Sequence, residues 1–525
     1  MSQKTAIVIG GGIAGLSTAA LLAKAGMKVK LFEARERVGG RAYTYEKDGF
    51  KFDLGPSWYL MPDAFDQFFK LMGTTASEQL NLVRLDPAYK TVNQDSPEAI
   101  VVHGDLAKTK AAFEAEEPGA AAALQRYLNS AEETYKLALE HFLYTNFENA
   151  SSFTHPAVLK KAGNFVKHLL TSLDGFAGQY VKSEKLKKIL DFPAVFLGAS
   201  PYETPSMYHL MTHIDMNVGV FYPMGGFYEI IESIRNLAIK HGVEIHTSSP
   251  VTEINVDDTS VARSVTVGAV KHEADLVVAC ADLHHVETKL LDSKHQTYPQ
   301  SWWNKRLPGP SAMMLYLGVK GEIPQLEHHT LLYTNNWRAN FKKVFRTPKQ
   351  LLTGSTNEIP NPASLYICAA SKTDPSVAPA GFENIFVLVP IAPDPTLGGS
   401  GDAKFEAAAD LAIDQIATWC EIPDLKERIV LRKTMGPRDF VTELNAWSGT
   451  ALGMAHTLKQ SAFFRPKNRS SKVKNLFYAG HHSVPGIGLP MCLIGAELVY
   501  KRLTGDKSAG PIGHEITAVA KWKGL

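Results

Sequence analysis

Cysteine is scarce, with four residues in 525, at positions 280, 368, 420 and 492. They are too scattered for a C-x-x-C redox pair or a zinc spacing, so they predict free, mostly buried thiols and no metal centre. An excess of one charge is also lacking. With 55 basic and 53 acidic residues the net charge is +2. No basic stripe interleaved with aromatics is present, which argues against a nucleic-acid partner. No apolar run is long enough to cross a bilayer; Ile385 to Val389, followed by Pro390, has the length of a core strand. Neither H-E-x-x-H nor a P-loop occurs. The first strand leaves no room for a signal peptide, so the expected compartment is the cytoplasm.

What is present begins at residue 5. Thr5 to Ile9 is a short β-branched run of the kind that forms a strand buried on both faces. Gly10, Gly12 and Gly15 follow in G-x-G-x-x-G spacing. The first permits a tight turn, the second admits a pyrophosphate to the backbone, and the third lets the next helix pack closely. That helix carries Ala14, Leu16, Ala19 and Leu22, and Gly26 stands where a C′ glycine is expected. Its N-terminus offers free N–H donors and partial positive charge to a diphosphate. Val29, Leu31 and Phe32 form the next strand, and Glu33 ends it where a carboxylate accepts from both ribose hydroxyls. A dinucleotide is expected here. Two small residues, Gly39 and Gly40, let the backbone pass close to it, and Arg41 can meet its phosphates.

Two further blocks return the chain to this unit. Gly225-Gly226 launches a helix with Ile230, Ile231, Ile234 and Leu237 on one face; short strands are expected at Val243 to Ile245, from Ser249 to Ile254, and from Glu273 to Ala281. Near the C-terminus, Asn475 to Gly480 reads as a strand ending at a glycine. Pro485 to Pro490 reads as a turn, and Met491 to Leu503 as a helix whose dipole can face developing negative charge. Between the blocks, Ser364 to Ala369 and Asn384 to Val389 read as strands, either of a substrate sheet or of plain core.

These blocks resemble the bacterial-type carotenoid desaturases, the phytoene desaturase family of FAD-dependent oxidoreductases. The likeness rests on Glu33 to Arg41, Asp53-Leu54-Gly55-Pro56-Ser57, Tyr222 to Gly226, Thr373 to Gly381, Asn445 to Ala451, Gln460 to Pro466 and Pro485 to Pro490. It implies an α/β fold with a Rossmann-like FAD-binding domain from 1–60, 220–290 and 470–505. A substrate domain of 61–140 and 291–469, a helical, membrane-facing lid of 141–219 and a tail of 506–525 would complete it. The implied cofactor contacts are Gly10, Gly12, Gly15, Glu33, Gly40, Arg41, Gly55, Pro56 and Ser57, with Val251 placing its backbone on the adenine. Gly480, Gly488, Leu489, Pro490 and Met491 complete them, the last beside the flavin pyrimidine edge. The implied reaction is dehydrogenation of a long, linear, apolar polyene, phytoene toward lycopene, by hydride transfer to flavin N5, with oxygen or a quinone as the final electron acceptor.

There are departures from the family. It often carries Thr-His-Pro-Gly before the last turn, where this chain has Ser483-Val484-Pro485-Gly486; His481 and His482 are the nearby replacements, or structural groups near the flavin. The family's acid/base residues have no clean counterpart, and the nearest candidates are His155, Lys160 and Lys161. Two other classes stay open: a redox-neutral carotenoid isomerase, and an enzyme of the amine-oxidase or protoporphyrinogen-oxidase kind. A hydrocarbon substrate implies contact with the inner face of the cell membrane. Residues 155–190 interleave leucines and phenylalanines with Lys160, Lys161, Lys167, Lys182, Lys185, Lys187 and Lys188; the tail from Ile516 to Trp522 is a second candidate, or else a disordered end.

Overall fold

In a computed structural model of the chain, the described residues are 3–147, 156–160, 162–345, 358–519 and 522. The segments beginning and ending the chain meet in a five-stranded sheet, ordered Leu476–Tyr478, Leu276–Ala279, Thr5–Ile9, Lys28–Phe32 and Glu244–His246. Every pairing is parallel. Its strands are short and apolar because both faces are covered. The helix Ile13–Lys24 is almost wholly buried between Tyr228–Lys240 and Leu489–Thr504. Its alanines permit that close approach, and Gly26, at φ +99°, ends it.

The run from Glu273 to Ala281 is two strands. Val270–Glu273 belongs to a three-stranded antiparallel sheet with Val251–Val256 and Ala262–Val267, whereas Leu276–Ala279 belongs to the parallel sheet. The break falls at Asp275, whose carboxylate accepts from the Thr5 N–H at 2.9 Å and from Lys4 Nζ at 2.8 Å. A side chain engaged with the neighbouring strand ends the first ladder and starts the second.

A seven-stranded mixed sheet forms the other half. Its order is Ile429–Met435, Ser311–Lys320, Phe382–Ile391, Leu365–Cys368, His329–Tyr333, Tyr89–Asn93 and Ser96–Val102. Both strands expected from Ser364 and Asn384 are in it. On one face, alternate side chains (Met314, Leu388, Tyr366 and Leu331) look into a cavity; on the other, Leu315, Val387 and Ile367 pack under the helix Ala403–Trp419.

The candidate membrane segments need correction. Helices Ala162–Leu170, Leu173–Ala177 and Glu184–Asp191 do form, but Leu173, Phe176, Leu186 and Ile189 are buried in the protein. Lys188 is 6% exposed and donates to Thr334 O at 3.0 Å, while Lys185 pairs with Glu116 and Lys187 with Asp174 and Glu184. The apolar face of Glu184–Asp191 packs inward, so its lysines serve the fold. The tail is also docked. Ile516 is buried, the Ile516 and Val519 N–H groups donate to Leu71 O and Ala25 O, and Trp522 meets Tyr500 edge-on at 6.4 Å. Among the described residues no helix is long and apolar enough to cross a membrane.

Candidate functional site

The site grows from the turn after the first strand. Gly10 has φ +98° and donates its N–H to Phe32 O at 2.8 Å, which ties the turn to the second strand. Gly15 lies beneath it; a Cβ there would collide with the Gly10 carbonyl. Gly12 is different, since a Cβ on it would meet no protein atom nearer than Gly40 Cα at 3.9 Å. Its neighbour is open space within a cavity of about 840 Å³. Glu33 borders the same space. One carboxylate oxygen accepts from the Gly11 N–H at 2.6 Å and the other from the Arg35 N–H at 2.9 Å. Val251 lies across from it, because the Ser249 N–H donates to Glu33 O at 2.8 Å and sets the start of that strand.

Beyond Gly40 the wall turns cationic. Arg41 donates Nε to Ala451 O at 3.0 Å, and its Nη2 is buried with no hydrogen-bond partner among the described residues. The nearest carboxylate oxygen, on Asp282, is 4.0 Å away. Burial lowers the Arg41 guanidinium below its ordinary value, against the opposing pull of Asp282. Gly55, Pro56 and Ser57 line the next stretch, Gly55 pressed on the Arg41 backbone so closely that a Cβ would not fit. Gly480, at φ +134°, and Gly488, at φ +114°, close the ring with Leu489, Pro490 and Met491 at the start of the last long helix. The buried Arg41 Nη2 without a hydrogen-bond partner, open space before Gly12 and Gly488, and two helix N-termini fit a dinucleotide that brings negative charge and hydrogen-bond acceptors.

Asp282 is a member that sequence reasoning did not single out. It follows the strand Leu276–Ala279 and is buried; it accepts from the backbone N–H groups of His284 at 3.0 Å and Trp447 at 3.2 Å and from His482 Nε2 at 3.0 Å. Burial pushes this carboxyl up, but His482 and His481 outweigh it and hold it well below the usual range. Both histidines that stand before the variant turn face this one acid, His482 through that hydrogen bond and His481 with its Nε2 3.7 Å away. Arg465, from the Gln460 to Pro466 signature, is the second. Fully buried, it donates to Ser483 O at 3.3 Å and to His481 O, and reaches His456 Nε2 at 3.2 Å; burial lowers it to about 10. It pins the loop that carries Gly486. Two groups bring metal-type ligand atoms within 4.8 Å of one another: Asp282, His481 and His482, and His328, His329 and Cys368. In the first, Asp282 and His482 are already joined by the hydrogen bond just given.

The cavity continues past Ser57 between the seven-stranded sheet and the helical segment, where Trp58, Phe192, Phe196, Leu210 and Met211 line it, and reaches Trp337 and Phe341. Of the candidate acid/base groups, Lys160 is exposed and does not line it, and His155 and Lys161 lie outside the described residues. All four cysteines are free; the Cys280 thiol, at the dinucleotide end, is pushed up to about 12 by burial and is not a nucleophile at neutral pH.

The model of the flavin-containing amine oxidoreductase family matches residues 13–498. Solved structures share the fold: an oxidoreductase from Methanosarcina mazei aligns with a TM-score of 0.60 at 17% identity, covering 95% of this chain and all of that one. Putrescine oxidase bound to putrescine aligns at 0.59 and 15%, covering 94% and 97%. The chain belongs to the flavin-containing amine oxidoreductase family, and it is an FAD-dependent oxidoreductase. Within it the chain is 39% identical over 506 residues to a carotenoid 3,4-desaturase of Haloarcula japonica, covering 96% of this chain and 99% of the relative. It is 32% identical to the zeta-carotene-forming phytoene desaturase of Myxococcus xanthus, covering 95% and 93%. It is a member of the carotenoid-desaturase branch. Bound FAD supplies a two-electron acceptor; Glu33, Arg41, the glycine turns and the start of Leu489–Thr504 are the residues that would hold it.

Proposed function

We propose that this enzyme desaturates a long linear carotenoid precursor, with phytoene toward lycopene as the first candidate, passing a hydride to the flavin. One observation carries the reading: the dinucleotide cavity runs without a break into an apolar chamber walled by the sheet face and by Trp58, Phe192, Phe196, Leu210 and Met211. Such a wall orients a hydrocarbon by shape, and the residues' task is alignment and exclusion of water. Oxygen or a quinone then takes the electrons. The test is incubation of the FAD-loaded protein with phytoene, and separately with an amine and a porphyrinogen, followed by chromatography. Products with added conjugated double bonds from phytoene alone support the reading. An isomer with no loss of hydrogen would instead make it a redox-neutral isomerase.

A hydrocarbon of forty carbons costs on the order of 30 kcal/mol to carry through water, at about 0.8 kcal/mol per carbon group. The substrate therefore enters from lipid, and the protein binds the inner face of the cell membrane peripherally. Within the 155–190 segment, the surface that supports this is Leu170, 80% exposed, and Val166, with Lys160 and Lys167 exposed beside them. Phe464, 63% exposed, and Leu458 add a second apolar edge. The two are linked through Tyr208: the turn Ser206–His209 carries it, packs against Ala162–Leu170 and meets His456 at 6.3 Å, and Tyr208 itself lines the cavity.

A further inference from the structure

Removing two hydrogens from adjacent carbons needs an acceptor for the proton as well as for the hydride. The candidates read from the sequence do not supply it, so the acceptor must be a polar group of the cavity wall with somewhere to send a proton. Several phenols line it. Tyr333 is buried with no hydrogen-bond partner among the described residues, so no neighbouring base takes its own hydroxyl proton. Tyr135 donates to Asp63 Oδ2 at 2.6 Å, but it stands on the helical side, beside His213. Tyr366 is placed differently. Its hydroxyl lies 2.7 Å from Ser57 Oγ, and Ser57 follows the Gly55-Pro56 stretch that packs on the Arg41 backbone, at the flavin end. It also lies 2.8 Å from His329 Nδ1.

His329 sits on the neighbouring strand and is fully buried, its ring stacked on Trp58 with centroids 4.3 Å apart and planes 7° from parallel. That stacking fixes the imidazole so that Nδ1 faces Tyr366. Its Nε2 has no hydrogen-bond partner among the described residues, and nor has that of the adjacent His328. A ligand atom of each ring lies within 4.8 Å of the other, and His328 Nδ1 is 2.7 Å from Thr373 Oγ1, at a half-buried turn. Two buried imidazoles thus stand behind the Tyr366 hydroxyl, the first hydrogen-bonded to it and the second beside the first.

We propose that Tyr366 is a catalytic residue, the proton acceptor of the desaturation, and that His329 is the positioning residue that takes the phenol's own proton in the same event. This rests on the desaturase reading. One C–H bond of the polyene breaks with its electron pair, which leaves as hydride for the flavin. The C–H bond on the adjacent carbon breaks the other way: its pair becomes the new π bond and its proton goes to Tyr366 Oη. The Tyr366 O–H proton passes along the 2.8 Å hydrogen bond to His329 Nδ1, which holds it as the imidazolium. No other oxidant is needed. Burial, with His328 beside it, holds His329 well below the ordinary imidazole value, so the ring is neutral before the step and has a lone pair free to accept.

The test uses the FAD-loaded enzyme under anaerobic conditions, with phytoene in liposomes, and follows flavin bleaching in H2O and D2O. Tyr366→Phe keeps the ring and removes only the hydroxyl. It is expected to lower the rate of flavin reduction at saturating phytoene by 100-fold or more, with FAD content and KM unchanged, and to abolish the wild-type solvent isotope effect. His329→Gln keeps an acceptor for the phenol but cannot relay; it is expected to slow the reaction at least tenfold, also at unchanged FAD content. Flavin reduction by Tyr366→Phe within threefold of wild type, or a loss confined to KM or FAD content, overturns the assignment. Wild-type enzyme that binds FAD but is not reduced by phytoene removes the desaturase reading itself, a result distinct from failure of the relay alone.

Discussion

Replacing Glu33 by alanine is expected to loosen FAD selectively. Its two oxygens are fixed by the Gly11 N–H at 2.6 Å and the Arg35 N–H at 2.9 Å, and the carboxylate borders the cavity beside Val251. A hydrogen bond to a charged group is worth about 1.5–3 kcal/mol, so loss of the ribose contact should raise the Kd for FAD by about ten- to 150-fold. The same change leaves the Gly11 N–H without its acceptor, so part of any loss could come from the turn itself. Glu33→Gln separates the two in part: its amide oxygen still accepts from Gly11, while its NH2 gives up the Arg35 bond and one acceptor toward the ribose. The assay is titration of the apoprotein with FAD, paired with thermal unfolding with and without FAD, since a ligand that binds only the folded state stabilises it in proportion to the logarithm of [L]/Kd. Glu33→Gln should fall between wild type and alanine in affinity and in apoprotein stability. A Kd for Glu33→Ala within threefold of wild type would refute the placement of the ribose.

The two fingerprint glycines should fail differently. Gly15→Ala drives a Cβ into the Gly10 carbonyl and should yield little soluble protein, whereas Gly12→Ala has room in the protein and should give a folded, cofactor-poor chain, as soluble yield and absorbance per protein would show. Asp215 is buried and unpartnered at Oδ1, and burial raises its carboxyl to about 7. The folded state then binds the extra proton between the unfolded value near 4 and about 7, so this group's contribution to stability falls as pH rises through that window. Asp215→Asn should therefore gain stability over wild type in denaturant melts at pH 8 and show little difference near pH 4. For the membrane, Leu170→Asp with Phe464→Asp should release the protein from anionic liposomes in flotation without loss of FAD. Lys188→Glu should instead lower the melting temperature, because that ammonium is buried against Thr334 O.

The dinucleotide half was legible because its residues answer to local rules. Gly10 needs positive φ, Gly15 needs the absence of a Cβ, and Glu33 must end a strand; each is visible as a residue type at a spacing. Asp282 was not, because a carboxylate after a small-residue strand has no local signature. What defines it is the meeting of His482, Trp447 and the backbone of residues 284 and 285, about 200 residues apart at the extreme. Tyr366 and His329 were hidden for the same reason: they become partners only when Leu365–Cys368 pairs with His329–Tyr333. The helix Glu184–Asp191 shows the opposite failure. Its alternation of lysine and leucine suits a bilayer surface and a protein surface equally, and only packing revealed that its apolar side was already covered.

The stoichiometry of a single anaerobic turnover tests the central claim most directly. FAD-loaded enzyme mixed with excess phytoene in the absence of any other acceptor should lose its oxidised-flavin absorbance once, and one new carbon–carbon double bond should form per flavin reduced. Double bonds formed without flavin reduction, or flavin that stays oxidised while phytoene is consumed, would contradict the account.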